Sequence, residues 1–190
     1  MHVLRGSPYQ VLIKTILSHR TKDEITDAVS EVLFDRYPDT ASLKAADAAE
    51  VEEIIHPTGF FSVKAKRIIE VARIVDEKYG GHVPSTREKL LELPGVGPKT
   101  ANCVLLYAYG EDAIPVDTHV HRIANRLGWV SETAPEKTEA SLTKVVPKEL
   151  WADINELLVT FGKTICRPVS PKCSECKLRM SCRYSSDSHK

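Results

Sequence analysis

The stretch Leu93-Pro94-Gly95-Val96-Gly97-Pro98-Lys99-Thr100 restricts the fold of this chain more than any other. Two glycines two apart, then a proline and an apolar run from Ala101, describe a tight turn that opens straight into a helix. Gly95 and Gly97 can each take positive φ and let another backbone approach closely. Pro98 suits the first helical position, where its missing N–H costs nothing. The first N–H groups of such a helix have no acceptor within it and stand at the positive end of its dipole. The turn is therefore a ready anion site, with Lys99 one residue into the helix beside it. A lysine at a phosphate-sized nest points to chemistry on a nucleic acid.

Nearly every other segment carries helical period. Ser7-Pro8 reads as N-cap and first helical residue, with Val11, Leu12, Ile16 and Leu17 as the apolar face that follows. Lys22 to Tyr37 repeats the pattern until Pro38 stops it. Asp47 with Glu50 predicts a capping box, and Ser85 with Glu88 a second. Between them Thr58-Gly59-Phe60-Phe61 is a turn carrying two aromatics, and Ser62 is expected to cap the helix after it. Further helices are expected over Pro98 to Tyr109, His119 to Leu127, Glu136 to about Val146 and Lys148 to about Phe161. No alternating run is long enough for a strand, so the chain reads as all-α. Its 190 residues suffice for one large domain or two small ones. No apolar run approaches the roughly 18 residues of a membrane span, and there is no signal-peptide pattern, so the expected location is cytoplasmic.

Four of the five cysteines, Cys166, Cys173, Cys176 and Cys182, crowd into a C-x6-C-x2-C-x5-C spacing. Such a cluster in an intracellular chain reads as metal ligands rather than disulfides. Zinc and a 4Fe–4S cluster both accept four thiolates, and spacing does not choose between them. Cys103, inside an apolar helical run, reads as a buried small hydrophobe. The formal net charge is zero, so no global positive field advertises DNA. From Lys163 onward, however, seven basic residues face two acidic ones, and this segment can present cations such as Lys177 and Arg179 to phosphates. Lys99 is a candidate nucleophile through a Schiff base, and Asp117, eighteen residues on, is either a helix N-cap or a carboxylate that stabilises a developing cation.

The hairpin Leu93 to Lys99 with Thr100-Ala101-Asn102, the box Val116-Asp117-Thr118-His119 with Arg122 and Asn125-Arg126, and the four-cysteine loop occur here in the order of one family. The chain resembles endonuclease III, a helix-hairpin-helix DNA glycosylase and AP lyase, over almost its whole length. The resemblance implies two α-helical domains, a six-helix domain over 1–110 ending in the hairpin and a second over 111–190. It implies a 4Fe–4S cluster on Cys166, Cys173, Cys176 and Cys182, and double-stranded DNA bound in the groove between the domains. By the same resemblance Lys99 is the nucleophile and Asp117 its carboxylate, and Gly95 and Gly97 hold phosphate. The implied activity is base excision repair of oxidised pyrimidines and abasic sites by a monomer, nucleoid-associated in a prokaryote. Leu17-Ser18-His19-Arg20-Thr21 departs from the family stretch, with Arg20 where glutamine is common. That side chain is expected to fill the hole left by the flipped nucleotide. Phe60 matches the family's apolar wedge, usually leucine. Two other readings are a mismatch or adenine-type glycosylase of the same superfamily, against which Lys99 argues, and a non-catalytic DNA-binding module.

Overall fold

Eleven α-helices and no strand make up the regular structure of residues 6–187, which the computed structural model describes. The all-α expectation holds. The chain divides into two units, one running to Glu111 and the other starting at Asp112.

The N-terminal unit contains α1 (Pro8–Leu17), α2 (Asp23–Arg36), α3 (Thr40–Lys44), α4 (Ala48–Ile55), α5 (Phe61–Tyr79), α6 (Arg87–Leu91) and α7 (Pro98–Tyr109). At its centre α1 buries Val11, Leu12, Ile13, Ile16 and Leu17, so nearly its whole circumference is core. Each such side chain contributes about 1.5–3 kcal/mol by leaving water. Around it pack Leu33, Leu43, Ile55, Ile68, Val75, Leu90 and Val104 from the other helices.

The C-terminal unit contains α8 (Thr118–Leu127), α9 (Pro135–Val145), α10 (Trp151–Thr164) and α11 (Arg183–Asp187), with single 3₁₀ turns at Lys148–Leu150, Cys173–Glu175 and Arg179–Ser181. Its core gathers Ile114, Val120, Ile123, Leu142, Ile154 and Leu158 around α8. Gly162 lets α10 approach α8 closely, because a Cβ there would lie 2.4 Å from His119 Nδ1 and 2.9 Å from Arg122 Nη2.

Local capping differs from the expectations at several points. Ser7 forms the full capping box with Gln10, as its position suggests. Asp47 caps α4 through Ala49 N and Glu50 N, but Glu50 turns away to an ion pair with Arg36, so that box is half made. Ser62 lies inside α5 and donates to Glu52 Oε2 at 3.0 Å, and the N-cap is Phe60 in a left-handed conformation. Thr86, not Ser85, precedes α6, and its side chain makes no capping bond. The short α3 carries its own capping box, Asp39 with Ser42.

Candidate active site and cysteine loop

The hairpin turns between α6 and α7, pinned by the buried side chains of Leu93 and Val96 and by a 3.1 Å bond from Val96 N to Leu93 O. Gly95 has φ +76, which favours glycine, and a Cβ there would displace the Arg67 side chain, whose Cδ would lie 2.2 Å away. Gly97 does not use the freedom to take positive φ. It is extended, at φ −97 and ψ −178, and an added Cβ would meet nothing within 4 Å. Neither backbone conformation nor packing within the unit explains a glycine here. Pro98 is the first residue of α7 and Lys99 the second, half-buried.

Cations crowd the neighbourhood of Lys99. His19, on the turn after α1, has Nε2 3.1 Å from Thr100 Oγ1, one residue beyond Lys99. Burial, and then the charges of Lys99, Lys64 and Arg67, push the His19 imidazole down to about 4, so it is neutral at pH 7. Lys64 on α5 is only 4% exposed, and burial pushes its ammonium down to about 8. Its Nζ donates to Leu17 O at 2.7 Å and to Thr21 Oγ1 at 2.8 Å. His19, Lys64 and Arg67 escape a reading of the sequence. Lys64 sits among residues that look like a solvated helix face, and its partners lie more than forty positions earlier.

Asp117 is the N-cap of α8, where its Oδ1 accepts from His119 N at 2.8 Å and Val120 N at 2.9 Å. The segment leading to it is held by Asn155 of α10, whose Nδ2 donates to Pro115 O at 2.7 Å from a buried position. Two backbone donors hold the carboxylate in one orientation.

Cys166, Cys173, Cys176 and Cys182 line a single cavity, together with Arg126, Phe161, Arg179 and Tyr184. No disulfide joins any of the cysteines, and Cys103 is buried in α7 as expected. No three metal-ligating side chains among the described residues converge on one point. The loop is instead tied down by arginines of α8. Arg126 donates to Arg167 O at 2.7 Å and Pro168 O at 2.9 Å, points Nη1 at Cys166 Sγ at 3.5 Å, and stacks 4.5 Å from the Tyr184 ring centre. Arg122 reaches Cys166 O at 2.8 Å. Lys177 and Arg179 are exposed on this loop; Lys190 lies outside the described residues.

Arg20 and Phe60 occupy two tips of the N-terminal unit, both exposed and both left-handed, at φ 54 and φ 60. The Arg20 guanidinium lies 5.5 Å from the Phe60 ring centre. Phe61, by contrast, packs on the core and against the His56 ring.

A glycine hairpin opening a helix that begins Pro-Lys, in one all-helical unit, and a four-thiol loop in another define a helix-hairpin-helix protein with a cysteine centre. Residues 13–148 match the family HhH-GPD superfamily base excision DNA repair protein. Endonuclease III of Thermotoga maritima is 49% identical over 177 residues, covering 93% of this chain and 83% of that one. The fold is similar to that of a trapped endonuclease III–DNA covalent intermediate, with a TM-score of 0.92, 34% identity, and coverage of 100% of this chain and 90% of the other. It is also similar to a thermostable thymine-DNA glycosylase, with a TM-score of 0.87, 31% identity, and coverage of 95% and 85%. The chain belongs to the endonuclease III family of the HhH-GPD superfamily. It is accordingly a DNA glycosylase and AP lyase of base excision repair.

Proposed function

We propose that the protein excises oxidised pyrimidines through a Schiff base on Lys99 and cuts the strand by β-elimination, the N-terminal unit supplying the nucleophile and the C-terminal unit the carboxylate Asp117. The observation that carries this reading is Lys99 in the first turn of α7, directly after a hairpin whose Gly97 leaves open space at its Cα. That space admits a phosphate oxygen to the hairpin N–H groups, which brings the adjoining sugar to the lysine. The trapped covalent complex of the similar endonuclease III supports it.

The target nucleotide leaves the stack before reaction, aided by the weakened pairing of a damaged base. Asp117 takes a proton from the Lys99 ammonium. The amine attacks C1′ and the glycosidic bond breaks; the departing base takes the proton from Asp117, and the carboxylate so restored stabilises positive charge on the sugar. Ring opening then expels O4′ and leaves an iminium between Lys99 and C1′. Loss of a C2′ proton breaks the C3′–O bond, so the strand is cut 3′ to the lesion. Phe60 enters the stack as an aromatic wedge and Arg20 takes the place of the flipped nucleotide. Lys177 and Arg179 meet phosphates.

The thiols of Cys166, Cys173, Cys176 and Cys182 surround one cavity and so fit a 4Fe–4S cluster. The cluster's contribution is structural, stiffening a basic loop against DNA. The protein works as a monomer on double-stranded DNA in the cytoplasm, associated with the nucleoid.

Borohydride is expected to trap a covalent complex of the wild type with abasic or thymine-glycol DNA. Lys99→Gln should lower trapping and strand cutting by more than about 1,000-fold while leaving the melting temperature in place. Trapping that persists in Lys99→Gln removes Lys99 from its role.

A further inference from the structure

Arg67 differs from its fellow cations on α5 in having no partner. Arg73 pairs with Glu70 and Glu77, each at 2.7 Å, and Lys78 pairs with Glu92 at 2.5 Å. Lys64 donates from its buried ammonium to Leu17 O and Thr21 Oγ1. Arg67 makes no hydrogen bond or ion pair with any described residue.

The side chain is nevertheless held in place. It lies across the hairpin, so near Gly95 that a Cβ there would sit 2.2 Å from Arg67 Cδ, 2.6 Å from Nε and 3.0 Å from Cζ. The guanidinium is thus set against the Gly95 backbone, two residues before the open space at Gly97 and four before Lys99. Its charge bears on the His19 ring together with those of Lys99 and Lys64, and all three are positive. Like charges gathered this closely repel, and more so where water is partly excluded. A half-buried guanidinium kept in such company without a carboxylate is arranged for an anion that arrives from outside.

We propose that Arg67 is a catalytic residue of strand cutting, its guanidinium donating to the phosphate 3′ to the lesion and stabilising the charge that this phosphate gains as it leaves. The inference rests on the reading above that Lys99 forms the Schiff base and that the hairpin holds backbone phosphate. From the iminium on Lys99, the C2′ proton passes to water and its electron pair becomes the C2′–C3′ double bond. The C3′–O pair departs with the oxygen, and the iminium remains, conjugated to the new double bond. The phosphate enters this step as a diester with one negative charge and leaves as a terminal monoester that has gained a second. Base excision, by contrast, changes no charge at that phosphate. Arg67 therefore binds the transition state of elimination more strongly than the state before it, and only such a difference accelerates a step. The planar fork also matches two phosphate oxygens at once.

Single-turnover assays of the intact protein on thymine-glycol DNA separate the two steps, because alkali reveals every excised base whereas untreated samples show only enzymatic cuts. Arg67→Met keeps the apolar stem over Gly95 and should slow cutting about thirtyfold but excision less than about threefold. Borohydride should then trap more covalent complex than in the wild type. Arg67→Lys should restore cutting to within about fivefold of the wild-type rate. A methylphosphonate in place of the 3′ phosphate removes the charge that Arg67 meets, and on it the wild type and Arg67→Met should cut at rates within about twofold. Arg67→Gln serves if Arg67→Met does not fold. Equal slowing of excision and cutting overturns the proposal, as does cutting by Arg67→Met at the wild-type rate. A full difference between the two proteins on methylphosphonate DNA overturns it as well. A wild type that neither excises thymine glycol nor is trapped on abasic DNA overturns the Schiff-base reading itself, whatever Arg67 does.

Discussion

The two units hold themselves together by different means. Among the described residues the N-terminal unit buries a cluster of 23 apolar side chains, from α1 outward, whereas the C-terminal cluster has 10. The smaller core meets the cysteine loop only through half-buried Cys166 and Cys182, while Val169 and Met180 on that loop are 80% and 92% exposed. Burial therefore closes the first unit, while the loop of the second is fastened by Arg126, Arg122 and whatever the thiols bind. A small core supplies little stability beyond the entropy it must offset, and the metal centre proposed for the four thiols would supply what is missing. The lesson is one of rigidity. The unit that carries Lys99 is stiff by its own packing, and the unit that carries Asp117 would depend on the centre proposed for its cysteines.

The largest expected effect breaks this comparison directly. Cys173→Ala should abolish absorbance near 400 nm and make the segment from Cys166 onward protease-sensitive, at a cost of about 3 kcal/mol or more to that unit. The helices from Pro8 to Tyr109 should keep their hydrogen-exchange protection. Equal loss of protection in both units would show that the difference between them is only apparent.

How far the sequence reveals all this depends on the range of the interactions. Ser7-Pro8 and Asp117 are legible because a cap and the N–H that donates to it lie within three residues of each other. The second helical place of Lys99 follows from Pro98 in the same way. Reading fails where one turn stands alone, as at α3, or where tertiary contacts choose the first residue, as at Phe60, whose left-handed backbone displaces Ser62 from the expected cap. It also fails for Lys64 and Arg126. An isolated lysine or arginine reads as solvated, and only chain distant in sequence supplies the carbonyls that bury it. Gly95 and Gly97 look alike in the sequence, yet only the fold shows that one has a left-handed backbone against the Arg67 side chain and the other is extended beside open space.

That difference gives the second prediction, which sharpens the account of the N-terminal unit as the tightly packed one. Gly95→Ala meets both an unfavourable φ and the Arg67 side chain, and should cost about 2 kcal/mol in urea unfolding. Gly97→Ala should leave stability within about 0.5 kcal/mol, yet weaken binding to abasic-site DNA about tenfold, since its methyl occupies the phosphate's space. A large stability loss in Gly97→Ala would mean that the hairpin has no open face.

The smallest effect concerns pH, and it follows from packing cations into a closed core. His19 titrates near 4 in the folded protein and near 6.5 when unfolded. Between these values the unfolded chain binds more protons, so stability rises with pH across that window. The contribution of a neutral His19 is complete above about pH 6.5 and is lost as pH falls toward 4. For a half-buried ring the loss at pH 5 is about 1–2 kcal/mol, less than the full shift would give because solvent screens part of it. Carboxylates elsewhere titrate over the lower part of the same range, so the informative quantity is a difference. His19→Gln keeps a polar contact for Thr100 and does not titrate. The gap in unfolding free energy between it and the wild type should therefore change by about 1–2 kcal/mol from pH 7.5 to pH 5, to the disadvantage of the wild type. A constant gap would place His19 in contact with solvent rather than among Lys64, Arg67 and Lys99, and would loosen the packing of cations around the nucleophile.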